Sequence, residues 1–169
     1  MSAVSVETRN ERLLKLAAGL DGLPTIREAQ KLEGLPVTPK GLGVLSIQLP
    51  RGKALSMVDI KRDGPDRKAA GCGTIGCMAG HGVGILGIPY SGAAMSDVGG
   101  ALGLDHDIDT AEELFAPGSV PYEKWPEIDG AMSAKVLRHL VSECGGKDGL
   151  TPFDVRAAWL AVTPTRWHS

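Results

Sequence analysis

Aromatic side chains are scarce: two Phe, two Tyr and three Trp in 169 residues. Any core must therefore be filled mainly by Leu, Val, Ile and Ala. Net charge is only -2. That argues against a general nucleic-acid binder, which needs a strongly basic surface to displace counterions. The one basic cluster, Arg51, Lys53, Lys61, Arg62, Arg67 and Lys68, is diluted by Asp59, Asp63 and Asp66 and reads as a solvated loop. No apolar run is long enough to cross a bilayer. The start, Met1-Ser2-Ala3-Val4, lacks the basic head and apolar stretch of a secretory leader, so a cytoplasmic location is expected. Three cysteines are too few for a disulfide framework and suit a reducing compartment, as free thiols or metal ligands. There is no internal repeat and no low-complexity tract. The length fits a single domain over residues 1–169.

What the chain does have is a dense glycine run, Gly71-Cys72-Gly73-Thr74-Ile75-Gly76-Cys77-Met78-Ala79-Gly80-His81-Gly82-Val83-Gly84. Thr74 is a good helix N-cap, and Ile75 to Leu86 reads as helix, stopped by Gly87, Ile88 and Pro89. Each glycine inside a helix costs about 1 kcal/mol relative to alanine. Close packing is the usual offset. Gly76, Gly80 and Gly84 recur every fourth residue and predict a smooth stripe against which another segment lies. Two glycine triplets, Gly71/Gly73/Gly76 and Gly82/Gly84/Gly87, match a dinucleotide fingerprint in spacing alone. A charged loop precedes the first and the helix itself precedes the second, where the motif needs a hydrophobic strand. No Lys-Ser/Thr follows the glycines, which excludes a phosphate-binding P-loop.

Elsewhere the pattern is helical. Thr8 and Glu11 form a T-x-x-E capping box for a helix to Leu20 with Leu13, Leu16, Ala17 and Leu20 on its apolar face. Thr25 and Glu28 repeat the box for a shorter helix to about Glu33. Residues 44–49 and 55–60 alternate weakly and suit a short β-hairpin. Residues 61–70 form an exposed loop. Ser96 is expected to cap a small helix over Asp97–Leu102. Thr110 with Glu113 is expected to cap another that stops at Pro117. Residues 118–126 read as loop, holding Tyr122 and Trp125. Ala131 to Glu143 is helical, with Gly145 just past its end. Thr151-Pro152-Phe153-Asp154 is a strong helix start, with Val155, Ala158, Trp159 and Val162 as the apolar face and Pro164 beyond it. Phe153 and Trp159 are expected in the core, and His106 and His139 on the surface. Residues 164–169 read as a C-terminal tail in which Trp167 either anchors a contact or folds back on the domain.

Three chemistries are open to the glycine-rich stretch. Cys72, Cys77 and His81 give C-x4-C-x3-H, and thiolates with imidazole are zinc ligands. Cys144, His106 or His139 would have to supply the fourth. Cys77, in the first helical turn, has the setting of a lowered thiol pKa, with His81 one turn on as its base. Cys72 and Cys77 form a C-x4-C spacing, which is not the C-x-x-C of thioredoxin-like redox proteins. Against these stands simple packing, since free cysteine is among the most buried residue types. Asp105-x-Asp107-x-Asp109 starts like a calcium loop, but Thr110 and Ala116 stand where glycine and glutamate are required.

The core Cys72-Gly73-Thr74-x-x-Cys77-x-x-Gly80, after Glu11-Arg12-Leu13-Leu14-Lys15-Leu16-Ala17, resembles a family of small bacterial and phage or prophage proteins with no settled activity. In that family the core is followed by a Leu-Gly-Leu segment and a Leu-Phe-x-Pro segment, here Leu102-Gly103-Leu104 and Leu114-Phe115-Ala116-Pro117. The resemblance implies an accessory protein of the bacterial host cytoplasm. The expected fold is mainly α, a small single domain around the buried glycine-rich helix, with room for one short β-hairpin. The leading functional expectation is a non-enzymatic protein that binds a protein partner, with homo-oligomerisation open. The alternatives are a zinc-stabilised domain using Cys72, Cys77 and His81, and a thiol enzyme centred on Cys77.

Overall fold

The computed structural model describes residues 4–21, 78–89, 94–104 and 108–168. The expected hairpin, the helix at residues 25–33, the 61–70 loop, His106, and Cys72 to Cys77 with the Thr74 cap lie outside these residues. What is described is helical, without a strand among the described residues: α1 (Val6–Leu20), α2 (Met78–Leu86), α3 (Ala94–Ala101), α4 (Ile108–Phe115), α5 (Gly130–Cys144) and α6 (Pro152–Val162). Short 3₁₀ turns cover Tyr122–Glu127 and Thr165–His168. The mainly α fold expected from the sequence is therefore the one observed. Among the described residues no helix is long and apolar enough to cross a membrane.

The six α-helices close a ring. α1 packs on α5, α5 on α6, α6 on α4, α4 on α3, α3 on α2, and α2 back on α1. Inside it lie Leu13, Leu16 and Leu20 of α1, Met78 and Ala79 of α2, Val98 of α3, Leu114 and Phe115 of α4, Val136, Leu137 and Leu140 of α5, and Trp159 of α6. Full burial of one such aliphatic side chain contributes about 1.5–3 kcal/mol. Trp159 is fully buried, as its place on the Val155/Ala158 stripe predicts.

α1 is also joined to two other helices by polar contacts. The Arg9 guanidinium, 3% exposed, donates from Nη1 to the Lys147 carbonyl at 2.8 Å and from Nη2 to the Cys144 and Gly145 carbonyls at 3.2 and 3.4 Å. Asn10 Nδ2 adds a bond to the Gly145 carbonyl at 2.8 Å. Helix C-termini leave carbonyls without intrahelical partners, and Arg9 satisfies them at the end of α5. Arg12 Nη1 does the same for α3, donating to the Ala101 carbonyl at 2.6 Å. On the far side of α1, Asp21 pairs with Arg138 of α5 through both guanidinium nitrogens.

Several helix boundaries differ from the sequence reading. α1 begins one turn early because Ser5, not Thr8, is the N-cap: Ser5 Oγ accepts from the Thr8 N–H at 3.1 Å and donates to the Thr8 hydroxyl at 2.9 Å. Thr110 caps nothing. It sits inside α4, fully buried, and its Oγ1 has no hydrogen-bond partner among the described residues. Ser96 likewise lies within α3. Asp129 caps α5 by accepting from the Met132 N–H at 2.8 Å. Gly145 follows α5 with right-handed φ of -61°, so it is not the left-handed stop that its position suggests. The Thr151 start holds in full. Thr151 Oγ1 accepts from the Asp154 N–H at 3.2 Å, and Asp154 accepts from the Thr151 N–H at 2.9 Å.

The stop of α2 is as read. Gly87 has φ +64°, and its N–H reaches the Gly84 carbonyl while Ile88 N–H reaches Val83, the paired bonds of a Schellman ending. The same device ends α3. Gly103 has φ +72°, with Gly103 N–H on the Gly100 carbonyl and Leu104 N–H on Gly99. Leu102 and Leu104 on either side are fully buried. The Leu-Gly-Leu segment is thus a helix stop flanked by core residues.

Close helix contact is real at two glycines outside the fourfold stripe, whose Gly76 lies outside the described residues. A Cβ on Gly82 would lie 2.9 Å from Val98 Cγ2, and one on Gly19 of α1 would lie 2.6 Å from Ile85. Gly84 is exposed, and a Cβ there would meet nothing within 4 Å. Among the described residues, Gly82 lets α2 approach α3, and Gly19 lets it approach α1.

Two stability predictions follow from these contacts. Gly84→Ala should raise stability by about 0.5–1 kcal/mol through helix propensity, whereas Gly82→Ala should lower it because the β-branched Val98 has little rotamer freedom to retreat. Urea unfolding of the two variants checks the opposite signs. The second concerns acid. Arg138 holds the Asp21 carboxyl below its ordinary value. Burial would raise Asp154, but hydrogen bonds from Lys147 and Thr151 bring it below the ordinary value too. A carboxyl whose folded value lies below its unfolded value of about 3.9 stabilises the fold above that pH, and the contribution is lost as pH falls through the folded value. Stability measured by denaturant should therefore decline below about pH 4, and Asp154→Asn should flatten that decline.

Candidate functional site

The sequence-derived candidates do not assemble into one site among the described residues. His81 lies on α2, 6% exposed. Its proposed companions Cys72 and Cys77 lie outside the described residues. Cys144 is a free, buried thiol at the end of α5, and His139, half-buried, is on the same helix about 140° around it. Among the described residues no three His, Cys, Asp or Glu side chains come together in a way that could hold a metal ion. The described residues therefore supply no ligand set to test against zinc.

Cys144 is not placed for reactivity either. Burial pushes its thiol pKa up, and the nearby Asp154 carboxylate pushes it further. A thiol must ionise to act as nucleophile or ligand. Cys144 instead ends a helix whose final carbonyl is held by Arg9.

The surface feature that stands out is on α6 and the turns beside it. Phe153, expected in the core, is 80% exposed. The reason is angular. The buried stripe of α6 is Val155, Ala158 and Trp159, and Phe153 precedes Val155 by two residues, about 200° around the helix. Leu160, 43% exposed, lies seven residues after Phe153 and so within about 20° of it. Arg156 and Ala157 between them are exposed as well. α6 therefore has two apolar stripes, one inside and one facing out. Both are readable in Val155/Ala158/Trp159/Val162 and Phe153/Ala157/Leu160, but only the first is needed by the core.

The outer stripe runs into an open groove of about 360 Å³. It is lined by Arg156 and Leu160 of α6, by Gly118, Ser119 and Pro121 after α4, and by Trp167 and His168 of the last 3₁₀ turn. Each wall is held from behind. Glu113 of α4 accepts from the Ser119 hydroxyl at 2.7 Å and from its N–H at 3.3 Å, fixing the turn after Pro117. Thr163 ends α6: its N–H and its hydroxyl both donate to the Trp159 carbonyl, at 2.9 and 2.6 Å. The contact of 2.6 Å between Thr163 Oγ1 and His168 Nε2 must then be a bond donated by the imidazole, because the hydroxyl hydrogen is already engaged. This orients the ring. Residues 164–168 are thus not a loose tail: Trp167 is 7% exposed and packs into the core, the fold-back alternative for this residue.

Charge in the groove is one-sided. Arg156 makes no ion pair among the described residues, and none of the lining residues is acidic. The one carboxylate tied to the lining turn, Glu113, is engaged by Ser119. Trp125 and Tyr122 fall in the 3₁₀ turn Tyr122–Glu127, and their side chains are not among the groups described.

The state of Cys144 is directly testable. In the Cys72→Ser/Cys77→Ser variant, the remaining thiol should label with a disulfide reagent at pH 8 far more slowly in the folded protein than in urea; equal rates would show an accessible, normally ionising group. Comparison with known proteins gives no further guide: no family model matches the chain, and no curated protein or solved structure matches it.

Proposed function

We propose that the protein is a non-enzymatic accessory protein that binds a protein partner through the outer face of α6 and the adjoining groove. The observation that carries this is the Phe153–Leu160 stripe. Two large apolar side chains, 80% and 43% exposed, stand one above the other on a helix whose other face already supplies the core. Exposed apolar residues scattered singly need no explanation, but a contiguous patch beside a groove marks an interaction surface. A facing helix that carries its own apolar anchors at i and i+7 is a recurring partner for such a surface.

The groove's polar groups favour binding over turnover. Ser119 is committed to Glu113, and His168 Nε2 to Thr163. Each holds the turn that carries it, and the Ser119 hydroxyl, with its backbone N–H, is spent on that turn. The phage or prophage setting, in the cytoplasm of a bacterial host, rests on the resemblance of the Cys72–Gly80 core together with the Leu102–Leu104 and Leu114–Pro117 segments.

A photo-crosslinking residue placed at Phe153 tests the reading in the producing bacterium. It should give one discrete protein adduct, and the same residue at Lys135, exposed on α5, should give none. Equal, diffuse labelling at both positions, or no adduct at Phe153, would sink the proposal.

A further inference from the structure

The charge of the same surface, taken with its geometry, points to a more specific occupant. We infer that the α6 face and its groove receive an amphipathic helical segment of a different protein, carrying apolar residues one heptad apart and an acidic residue between them that pairs with Arg156. This deepens the interaction reading above and rests on it.

Three observations carry the assignment. Phe153 and Leu160 are separated by seven residues, about 10.5 Å along the axis, which is the repeat of a facing helix's own apolar seam. Arg156 lies between them in sequence, at the edge of the stripe, and it also lines the groove. It is exposed, and no ion pair engages it among the described residues. Finally, the described residues that line the groove include Arg156 and His168 but no Asp or Glu. A guanidinium accepts a carboxylate in a two-pronged geometry that fixes register. A facing helix with a Glu at this point would pair with Arg156 at the edge of the patch and place apolar residues on Phe153 and Leu160.

The same geometry argues against a second copy of this chain as the occupant. A two-fold contact is self-complementary, so residue i meets j and j meets i. Antiparallel pairing that seats Phe153 of one α6 on Leu160 of the other places Arg156 opposite Ala157. The two guanidiniums then sit about one residue step, roughly 1.5 Å, apart along the axis. Like charges so placed oppose association. An acidic partner meets no such repulsion.

The test uses the full chain and three synthetic helical peptides that are identical except at one site. Each carries Leu at positions one heptad apart, with Glu, Gln or Lys between them. Titration followed by Trp fluorescence or calorimetry should rank Glu over Gln over Lys, with Gln about fivefold weaker at low salt, the size of an exposed ion pair. The gap should narrow as salt screens the pair. Arg156→Glu should reverse the order, so that the Lys peptide binds best, while circular dichroism shows an unchanged fold. Arg156→Lys should keep the order but reduce the span. Equal affinity for the three peptides, binding by none of them, or an order unchanged by Arg156→Glu would overturn the acidic-helix assignment. So would concentration-dependent dimerisation of the chain that Leu160→Asp abolishes, since that result names a second copy as the occupant. If crosslinking at Phe153 yields a discrete adduct while the peptide series shows no charge preference, the docking surface stands and only the acidic-helix assignment falls.

Discussion

The fold depends on a buried cation at the meeting of two helices. Arg9 is 3% exposed and donates to three carbonyls at the end of α5. A guanidinium cannot give up its charge in a protein, so its burial is tolerable only where its donors are met. The carbonyl end of a helix meets them with partial negative charge. Burial pulls the Arg9 pKa down, while Cys144, Asp148 and Asp154 pull it back up. Removing the side chain would leave the buried Cys144 carbonyl without this donor, at about 1–3 kcal/mol for a buried group left unpaired. Three residues on, Arg12 treats α3 in the same way. One face of α1 thus supplies Leu13, Leu16 and Leu20 to the core, and its first two turns hold the ends of two other helices. α1 thus ties α3 and α5 of the ring together through their C-terminal ends.

Much of this architecture is legible in the sequence, and the failures have physical causes. Where a helix start is strictly local, it reads correctly: Thr151-Pro152-Phe153-Asp154 contains every group its cap uses. Where two cap candidates lie within a turn, the pattern cannot choose. Thr8 with Glu11 looked complete, but Ser5 stands three residues earlier and takes the role. At Thr110 tertiary packing overrides the local pattern, since a fully buried threonine inside α4 helps fill the interior and leaves its hydroxyl without a partner. The capping function of Arg9 was out of reach, because residues 9 and 144–147 are far apart in the chain and only the fold brings them together. Phe153 lies about 240° around α6 from Trp159, which places it outside although large aromatics are more often buried.

The glycines show how a compositional signal can be right in kind and wrong in detail. Dense glycine on α2 does accompany close approach, but through Gly82 on Val98, with Gly19 of α1 receiving Ile85. Of the fourfold set Gly76, Gly80 and Gly84, the last faces open space and takes no part in that approach. Two other glycines are needed for a backbone reason. Gly87 and Gly103 take φ values that side chains resist, and each sits between apolar residues that pack into or against the core. The repeated apolar-Gly-apolar pattern is therefore a stop signal tied to the interior. Leu114 and Phe115, fully buried, belong to that interior as well. The Leu-Gly-Leu and Leu-Phe-x-Pro segments that carry the resemblance on the C-terminal side are thus accounted for by the scaffold, and neither contributes a reactive group.

This distribution of roles directs attention to the surface that the scaffold leaves unexplained. Residues that build the ring are buried, capped or paired in recognisable ways. α6 alone among the described helices presents two large apolar side chains outward on one face: Leu14 on α1 and Ile108 on α4 are the sole exposed large apolar residues of their helices. α6 is also anchored at both ends, by the Thr151–Asp154 box with Lys147 at its start and by Thr163, Trp167 and His168 at its end. A face held this firmly loses little freedom when a partner arrives, and pre-organisation of that kind favours binding. Fixed ends, an outward apolar stripe and a cation at its edge are what the proposed docking surface rests on, and neither the stripe nor the cation is needed to fill the core that Trp159 occupies from the other side of the same helix.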